Sequence, residues 1–187
     1  MQRERMRWGL EFMRPLSAKT TTIEIEQVAP GQAGLDLDWL RRRLDQAVGH
    51  IDQPARQINI AIVDDRRMIK LHRQHCGIDS TTDVLTFPPA DGASGLDLAV
   101  NLDEADRQSV IHGHSIQQEL SLYCLHGMLH CAGFDDHDAE AYQAMHAEED
   151  RILTAIGVGA TFGISQSTAA DESSPSRGAG GIGGGSA

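Results

Sequence analysis

The most constraining feature of the sequence is a helical segment that carries two histidines and is followed by Gly133. Ser115 with Gln118 three residues later is typical of a capping box, which marks the start of a helix. Apolar residues then recur at helical spacing, namely Leu120, Leu122, Leu125, Met128, Leu129 and Ala132. Gly133 favours a stop, because glycine adopts a left-handed backbone at low cost. The pattern predicts a helix over 115–132 with its apolar face in the core.

The two histidines of this helix, His126 and His130, are four residues apart and therefore lie on one face. After the turn at Gly133 the chain can double back and bring Asp136 or His137 to the same point. Two helical histidines and a third ligand beyond a turn are typical of a zinc site with one open position. An open position admits a water or a substrate oxygen, so the pattern favours a catalytic metal.

A glutamate that zinc proteases require is missing. Proteases with a helical His-Glu-x-x-His motif use that glutamate as the general base, and Gly127 stands at its place here. Glu119 lies about 10 Å further back along the axis, so it is expected behind the ligands or on the surface. A zinc protease is therefore the least favoured hypothesis.

Two blocks of sequence resemble one known family. The run HGMLHCAGFDDH over 126–137 resembles the His-Gly-x-Leu-His-x-x-Gly-aromatic-Asp signature of the YbeY family of bacterial endoribonucleases. The run TDVLTFP over 82–88 resembles that family's Thr-Asp-Val-Leu-Ser-Phe-Pro strand, and the order and spacing of the blocks agree. The resemblance covers roughly residues 20–157.

The resemblance implies a zinc-dependent endoribonuclease, specific for single strands, with one Zn²⁺ per chain. It further implies cytoplasmic work on small-subunit ribosomal RNA and in ribosome quality control. Its expected partners are single-stranded RNA and the small ribosomal subunit, not DNA. The alternative is a ribosome-assembly binding protein with a non-catalytic zinc site.

The sequence departs from the family pattern at two places. The usual third ligand is a histidine ten residues after the first; Asp136 stands there, and His137 follows it. Spacing favours Asp136 and ligand type favours His137, so both stay candidates. The family's substrate-facing arginine is replaced by Cys76, and Arg73, one turn earlier, is its candidate substitute.

Candidates for proton transfer are Asp83, Asp135 and His137. Asp83 precedes a predicted strand, and the competing interpretation of it is a cap of that strand.

The charge balance limits how the chain could bind RNA. The formal net charge is −11, whereas nucleic-acid binders usually carry a basic surface. RNA binding would need a local basic patch, for which Arg66, Arg67, Lys70 and Arg73 on one predicted helix are the first candidate and Arg41, Arg42 and Arg43 the second. No apolar stretch is long enough to span a bilayer. The three cysteines are odd in number and form no CxxC pair, which is typical of reduced thiols in a cytosolic protein.

The whole pattern predicts an α+β fold, with a small mixed sheet of about four strands packed with helices and a zincin-like metal helix. Strands are expected at 20–28, 58–63, 83–87 and 96–102. Helices are expected at 36–51, 65–74, 103–109 with Asp103 as cap, 115–132, and 138–156 with Asp138 as cap. The predicted domains are a flexible extension (1–19), one metal-dependent hydrolase domain (20–163) and a disordered Gly/Ser/Ala-rich tail (164–187).

Overall fold

The computed structural model describes residues 21–30, 35–87 and 95–161. Four strands and five helices follow in the order β1 (Thr22–Gln27), α1 (Leu37–Val48), β2 (Gln57–Val63), α2 (Asp65–Cys76), β3 (Val84–Phe87), β4 (Gly95–Asn101), α3 (Leu102–His112), α4 (Ile116–Cys131) and α5 (Ala139–Ala155). The predicted extension at 1–19 and tail at 164–187 lie outside the described residues. The domain boundaries at 20 and 163 therefore remain predictions.

The four strands form one mixed sheet in the order β1-β2-β4-β3. β1, β2 and β4 run parallel, and β3 pairs antiparallel with β4 at the edge. The predicted α+β fold with a four-stranded mixed sheet is confirmed.

The helices cover the two faces of the sheet unequally. The larger core joins the sheet to α1, α4 and α5, and its fully buried side chains include Leu44, Ile60, Leu98, Leu129 and Ile152. The smaller core packs Met68 of α2 against Val63, Leu85 and Ala99 on the other face. The helix that carries the two histidines therefore lies on the better-covered face.

The predicted caps are confirmed for α4 and α5 but not for α3. Ser115 and Gln118 form the complete capping box of α4, and Asp138 caps α5. The predicted start of α3 at Asp103 is wrong, because Asn101 is its cap. The Asn101 side-chain oxygen accepts hydrogen bonds from the backbone N–H groups of Asp103 and Glu104, at 3.1 and 3.3 Å.

Gly127 explains how closely α4 approaches the sheet. A Cβ atom at this position would lie 2.7 Å from Leu98 Cδ2 on β4 and 3.0 Å from Thr86 Oγ1 on β3. Non-bonded carbon atoms prefer separations of about 3.5–4.0 Å, so a side chain here would have to displace Leu98 or the helix itself. Across the described residues, no helix is long and apolar enough to cross a membrane.

Candidate metal centre

Three side chains meet where the C-terminal end of α4 faces the turn that follows it. The Nε2 atoms of His126 and His130 are 3.0 Å apart. The carboxylate of Asp136 lies 3.9 Å from each of them, through Oδ2 and Oδ1 respectively. All three side chains are half-buried, and one ligand atom from each lies within 4.8 Å of the others. The cluster could hold a metal ion.

Hydrogen bonds at the far side of each ring fix how the two histidines face the cluster. His126 Nδ1 is 2.7 Å from Glu149 Oε1, and His130 Nδ1 is 3.1 Å from the carbonyl oxygen of Phe134. An ionised carboxylate and a carbonyl only accept, so each Nδ1 must donate and carry the ring proton. In the neutral rings both Nε2 lone pairs then point into the cluster.

The cluster has the donor set of a metal site. Two lone pairs that face one another at 3.0 Å repel, unless a proton or a metal cation lies between them. The nearby carboxylate of Asp136 adds negative charge on the third side. Two imidazoles and one carboxylate are a usual ligand set for catalytic zinc, so the residues present fit a divalent metal ion.

Charge and burial act in opposite directions on His126. Burial lowers its pKa, but the hydrogen bond to Glu149 and the negative charges of Glu149, Asp83 and Asp136 outweigh that effect and leave the pKa above its usual value. The surroundings of His126 therefore favour positive charge, which a proton or a metal ion can supply.

The second candidate for the third ligand, His137, groups with Asp135 and Asp136 and not with the two rings. Its side chain is 85% exposed, and its Nδ1 lies 2.9 Å from Asp135 and 3.4 Å from Asp136. Asp135 also accepts a hydrogen bond from the backbone N–H of Asp136, at 2.8 Å, which tightens the turn. The geometry thus brings Asp136 to the histidine pair and leaves His137 outside.

A match to a protein-family model shows which family the chain belongs to. The family model described as Endoribonuclease YbeY matches residues 33–157. The chain belongs to the YbeY family. The Endoribonuclease YbeY of Roseiflexus sp. (strain RS-1) is 30% identical over 161 residues, which are 76% of this chain and 98% of that protein. The Endoribonuclease YbeY of Carboxydothermus hydrogenoformans is 35% identical over 104 residues, which are 54% of this chain and 73% of that protein.

A solved structure shows the same fold. The solution structure of TM1509 from Thermotoga maritima aligns with a TM-score of 0.50 at 23% sequence identity. The alignment covers 83% of this chain and 99% of that chain. The chain and TM1509 therefore share a fold.

Asp83 of this YbeY-family chain caps a strand, which is one of the two roles considered from the sequence. Its Oδ1 accepts hydrogen bonds from the backbone N–H of Val84 at 2.8 Å and from Thr82 Oγ1 at 2.9 Å, so it caps the start of β3. Its charge also contributes to the raised pKa of His126. A capping carboxylate therefore lies within electrostatic reach of the cluster.

Arg73 lies elsewhere. It pairs with Asp79 on the surface. It lines a cavity of about 850 Å³ with other residues of α2, on the face of the sheet opposite α4. Cys76 is exposed at the end of α2. The structure does not bring Arg73 to the histidine pair.

Glu119 is not a surface residue, contrary to one of the two sequence expectations. It is 2% exposed and pairs with the buried His114. Both residues line a cavity next to the cluster.

Glu149 and His146 are not among the site residues predicted from the sequence. Both oxygens of Glu149 are used, since Oε1 accepts from His126 and Oε2 accepts from His146 Nδ1 at 2.5 Å. Glu149 is fully buried on α5, in the same apolar stripe as Met145, Ile152 and Leu153. A carboxylate inside an apolar helical stripe was the signal that could have revealed it.

Proposed function

We propose that the chain is a metal-dependent endoribonuclease that cuts single-stranded RNA. Two facts support this proposal: the relatives bear the name Endoribonuclease YbeY, and the cluster has a hydrolase-type donor set. The observation that carries the proposal is the orientation of the two histidines. Their Nε2 atoms face each other at 3.0 Å while both Nδ1 atoms are held by acceptors.

The proposed ion is one Zn²⁺ per chain, held by His126, His130 and Asp136. Zinc in such a site lowers the pKa of a bound water toward neutrality and polarises a phosphoryl oxygen. Glu149 and the Phe134 carbonyl keep each Nδ1 protonated, so that each Nε2 stays available as a ligand. His137 is kept as a weaker candidate, because reaching the pair would require the turn to change.

The protons of hydrolysis need a group of the protein. Gly127 cannot supply a base, and a glutamate in its place would collide with Leu98. We assign proton transfer to Asp83, which is half-buried and lines the cavity beside the cluster. Asp135 is the second candidate, since it lies on the turn that carries Asp136.

The proposed substrate is the RNA of the small ribosomal subunit, acted on in the cytoplasm during maturation and quality control. A chain of net charge −11 needs a local cationic surface for this. Arg66, Arg67, Lys70 and Arg73 are all exposed on α2. His75 of α2 packs against Phe87 of β3, and Thr86 of β3 faces Gly127 of α4, so the edge strand lies between the basic helix and the metal helix.

One alternative has its own support. Cys76 replaces the family's expected arginine, and Arg73 pairs with Asp79 instead of facing the cluster. A ribosome-assembly protein that binds RNA without cutting it, with a non-catalytic metal site, fits these two departures.

The test compares metal content and RNA cleavage across the wild type, His126→Ala, Asp136→Ala and His137→Ala. We expect one zinc per wild-type chain, loss of zinc and cleavage in the first two variants, and retention of both in the third. Circular dichroism verifies folding in each case. Zinc-loaded wild type that binds single-stranded RNA without cutting it would overturn the enzyme proposal and favour the assembly protein.

A further inference from the structure

A cavity of about 660 Å³ lies beside the metal cluster. It is lined by residues of the segment before β3, of α3, of the N-terminal half of α4 and of α5. Pockets for small organic ligands usually measure about 300–1,000 Å³, so a nucleoside fits this space. The proposed hydrolysis at the cluster does not account for a cavity of this size.

The cavity and the cluster share a wall. His146 lines the cavity and shares Glu149 with His126, and the rings of the two histidines are 6.4 Å apart. Asp83 also lines the cavity and affects the pKa of His126. In a nucleotide only one sugar separates the base from its phosphate. A base in the cavity can therefore belong to the nucleotide whose phosphodiester lies at the cluster.

The charges of the lining select the kind of group that can enter. Asp83, Glu104 and Glu119 contribute carboxylates, of which Glu104 also accepts from Arg107 and Glu119 pairs with His114. The lining residues among those described include neither lysine nor arginine, so the lining itself stays acidic. A phosphate would be repelled, whereas a ligand that donates hydrogen bonds would be favoured. Carboxylates accept hydrogen bonds from exocyclic amino groups such as N4 of cytosine. Uracil has no amino group, and on the same edge its single N3–H donor stands between two carbonyl oxygens, which a carboxylate repels.

An aromatic ring completes the lining. Tyr142 is 40% exposed, and its ring packs edge-on against His146 with 4.2 Å between centroids. Bases of single-stranded RNA commonly stack on aromatic side chains of this kind. Stacking supplies affinity for any base, so the carboxylates supply the discrimination.

We infer that this cavity holds one unstacked base next to the scissile phosphodiester and prefers a base with an exocyclic amino group to uracil. Adenine, cytosine and guanine share that group. The inference rests on the proposed function, because it places the base beside the phosphodiester to be cut.

The first arm of the test measures nucleoside binding, which needs no cleavage. Cytidine, adenosine and uridine are titrated into the zinc-loaded full chain and followed by chemical-shift changes. We expect cytidine and adenosine to bind about tenfold tighter than uridine, the size of one good hydrogen-bonded pair. Equal affinities would overturn the inference.

The second arm measures cleavage of RNA. The substrates are an oligouridylate and the same oligonucleotide with a single central cytosine. We expect kcat/KM to rise about tenfold with the cytosine, and new cuts to appear next to it. Cleavage at equal rates without a positional preference would overturn the base site and leave the nuclease proposal standing. Nucleoside discrimination without any cleavage would overturn the nuclease proposal instead.

Variants of the lining residues distinguish discrimination between bases from stacking of the base on an aromatic ring. Glu104→Gln is expected to reduce the preference for cytidine, and Tyr142→Leu to weaken all three nucleosides to the same extent. Glu119→Gln is a second test of discrimination, with a thermal melt to verify that the buried pair with His114 still supports the fold. Glu140→Gln is the matched control, because Glu140 is exposed on α5 and does not line the cavity. A loss of preference in this control as large as that in Glu104→Gln would overturn the assignment.

Discussion

At the scale of single residues, Glu149 shows how a buried charge orients a candidate metal ligand. Its carboxylate is fully buried and accepts hydrogen bonds from two histidines, one of which belongs to the cluster. A buried carboxylate is stable only when its oxygens are satisfied, so the two rings and the carboxylate hold one another in place. In the proposed metal site Glu149 would act through His126, as a positioning residue.

We predict that Glu149→Gln weakens zinc binding by about 10–100-fold, the usual effect of changing a group that orients a metal-bound histidine. The amide keeps the size of the side chain but loses its charge and one acceptor. Competition with a chromophoric chelator measures the affinity, and Glu140→Gln on the exposed side of α5 serves as the control. Unchanged zinc affinity in Glu149→Gln would show that His126 needs no such support.

The residues nearest the cluster could be predicted from the sequence, and those behind them could not. His126 and His130 follow from helical spacing, and the turn after Gly133 limits the third ligand to a short stretch. The choice of Asp136 over His137 depends on how the turn folds, which spacing alone does not determine. Glu149 lies 23 positions from His126, and only the packing of α5 against α4 brings it there.

At the scale of elements, α4 packs closely against β3 and β4 because Gly127 has no side chain. We predict that Gly127→Ala destabilises the protein, although alanine favours a helix by about 1 kcal/mol over glycine. The added Cβ comes within 2.7 Å of Leu98 Cδ2, and Leu98 is 2% exposed, so its side chain would have to shift among close-packed neighbours. Overpacking of a core costs about 1–3 kcal/mol. Urea unfolding measures the change.

The control for this prediction is a double mutant. Leu98→Val shortens the side chain that the new methyl group meets, so the pair should lose less stability than the sum of the two single changes. Strictly additive losses would mean that Gly127 is required for another reason. Cys131→Ala, at an exposed position of the same helix, is expected to change stability little.

The hydrogen bonds of Asp65, where α2 and α3 meet the segment before β3, predict how the stability of the protein changes at acidic pH. Asp65 accepts hydrogen bonds from Arg107 at 2.7 and 2.9 Å, from Asn101 at 2.8 Å and from Thr81 at 3.1 Å. The Arg107 guanidinium, more than any other partner, lowers the pKa of Asp65 from 3.8 to about 2. The ionised carboxylate thus stabilises the fold above the unfolded-state pKa, and that contribution disappears as the pH falls through about 2.

We therefore expect the free energy of unfolding of the wild type to exceed that of Asp65→Asn above about pH 4, and the difference to shrink toward pH 2. Denaturant unfolding at several pH values measures it. In an Arg107→Ala background, the loss of unfolding free energy caused by Asp65→Asn should depend less on pH. The main cause of the lowered pKa of Asp65 is then gone. A difference that stays constant across this range would contradict the assignment.

The elements themselves were largely predictable, because caps and periodicity are local properties. Ser115 with Gln118 and Asp138 marked two helix starts correctly. The start of α3 was misplaced because Asn101 ends a strand and caps a helix at once, and the acidic residue after it looked like the cap. The strand order β1-β2-β4-β3 depends on the pairing of distant segments, which no local pattern records.

At the scale of the whole molecule, the charges are distributed so unevenly that an acidic chain still presents a basic surface on which RNA could bind. The net charge is −11, yet α2 exposes Arg66, Arg67 and Lys70 together. The second basic candidate is weaker, because Arg43 of the arginine triplet donates to the carbonyl of Ile156 at 2.6 Å. Negative charge on the rest of the surface would repel RNA and so help to direct an RNA strand to α2 and around the edge strand β3.

The last prediction tests this distribution. Cationic side chains that bind phosphates carry no sequence information and release counterions, so removing one of them should lower the salt-dependence slope for single-stranded RNA by about 0.7. We expect the charge reversals Arg66→Glu and Lys70→Glu to weaken binding equally for all RNA sequences and to flatten that slope. Fluorescence anisotropy at several salt concentrations measures both. Arg41→Glu with Arg42→Glu, exposed on α1, makes the same change in net charge. If that control weakened binding as much, RNA would be responding to the overall charge and not to α2.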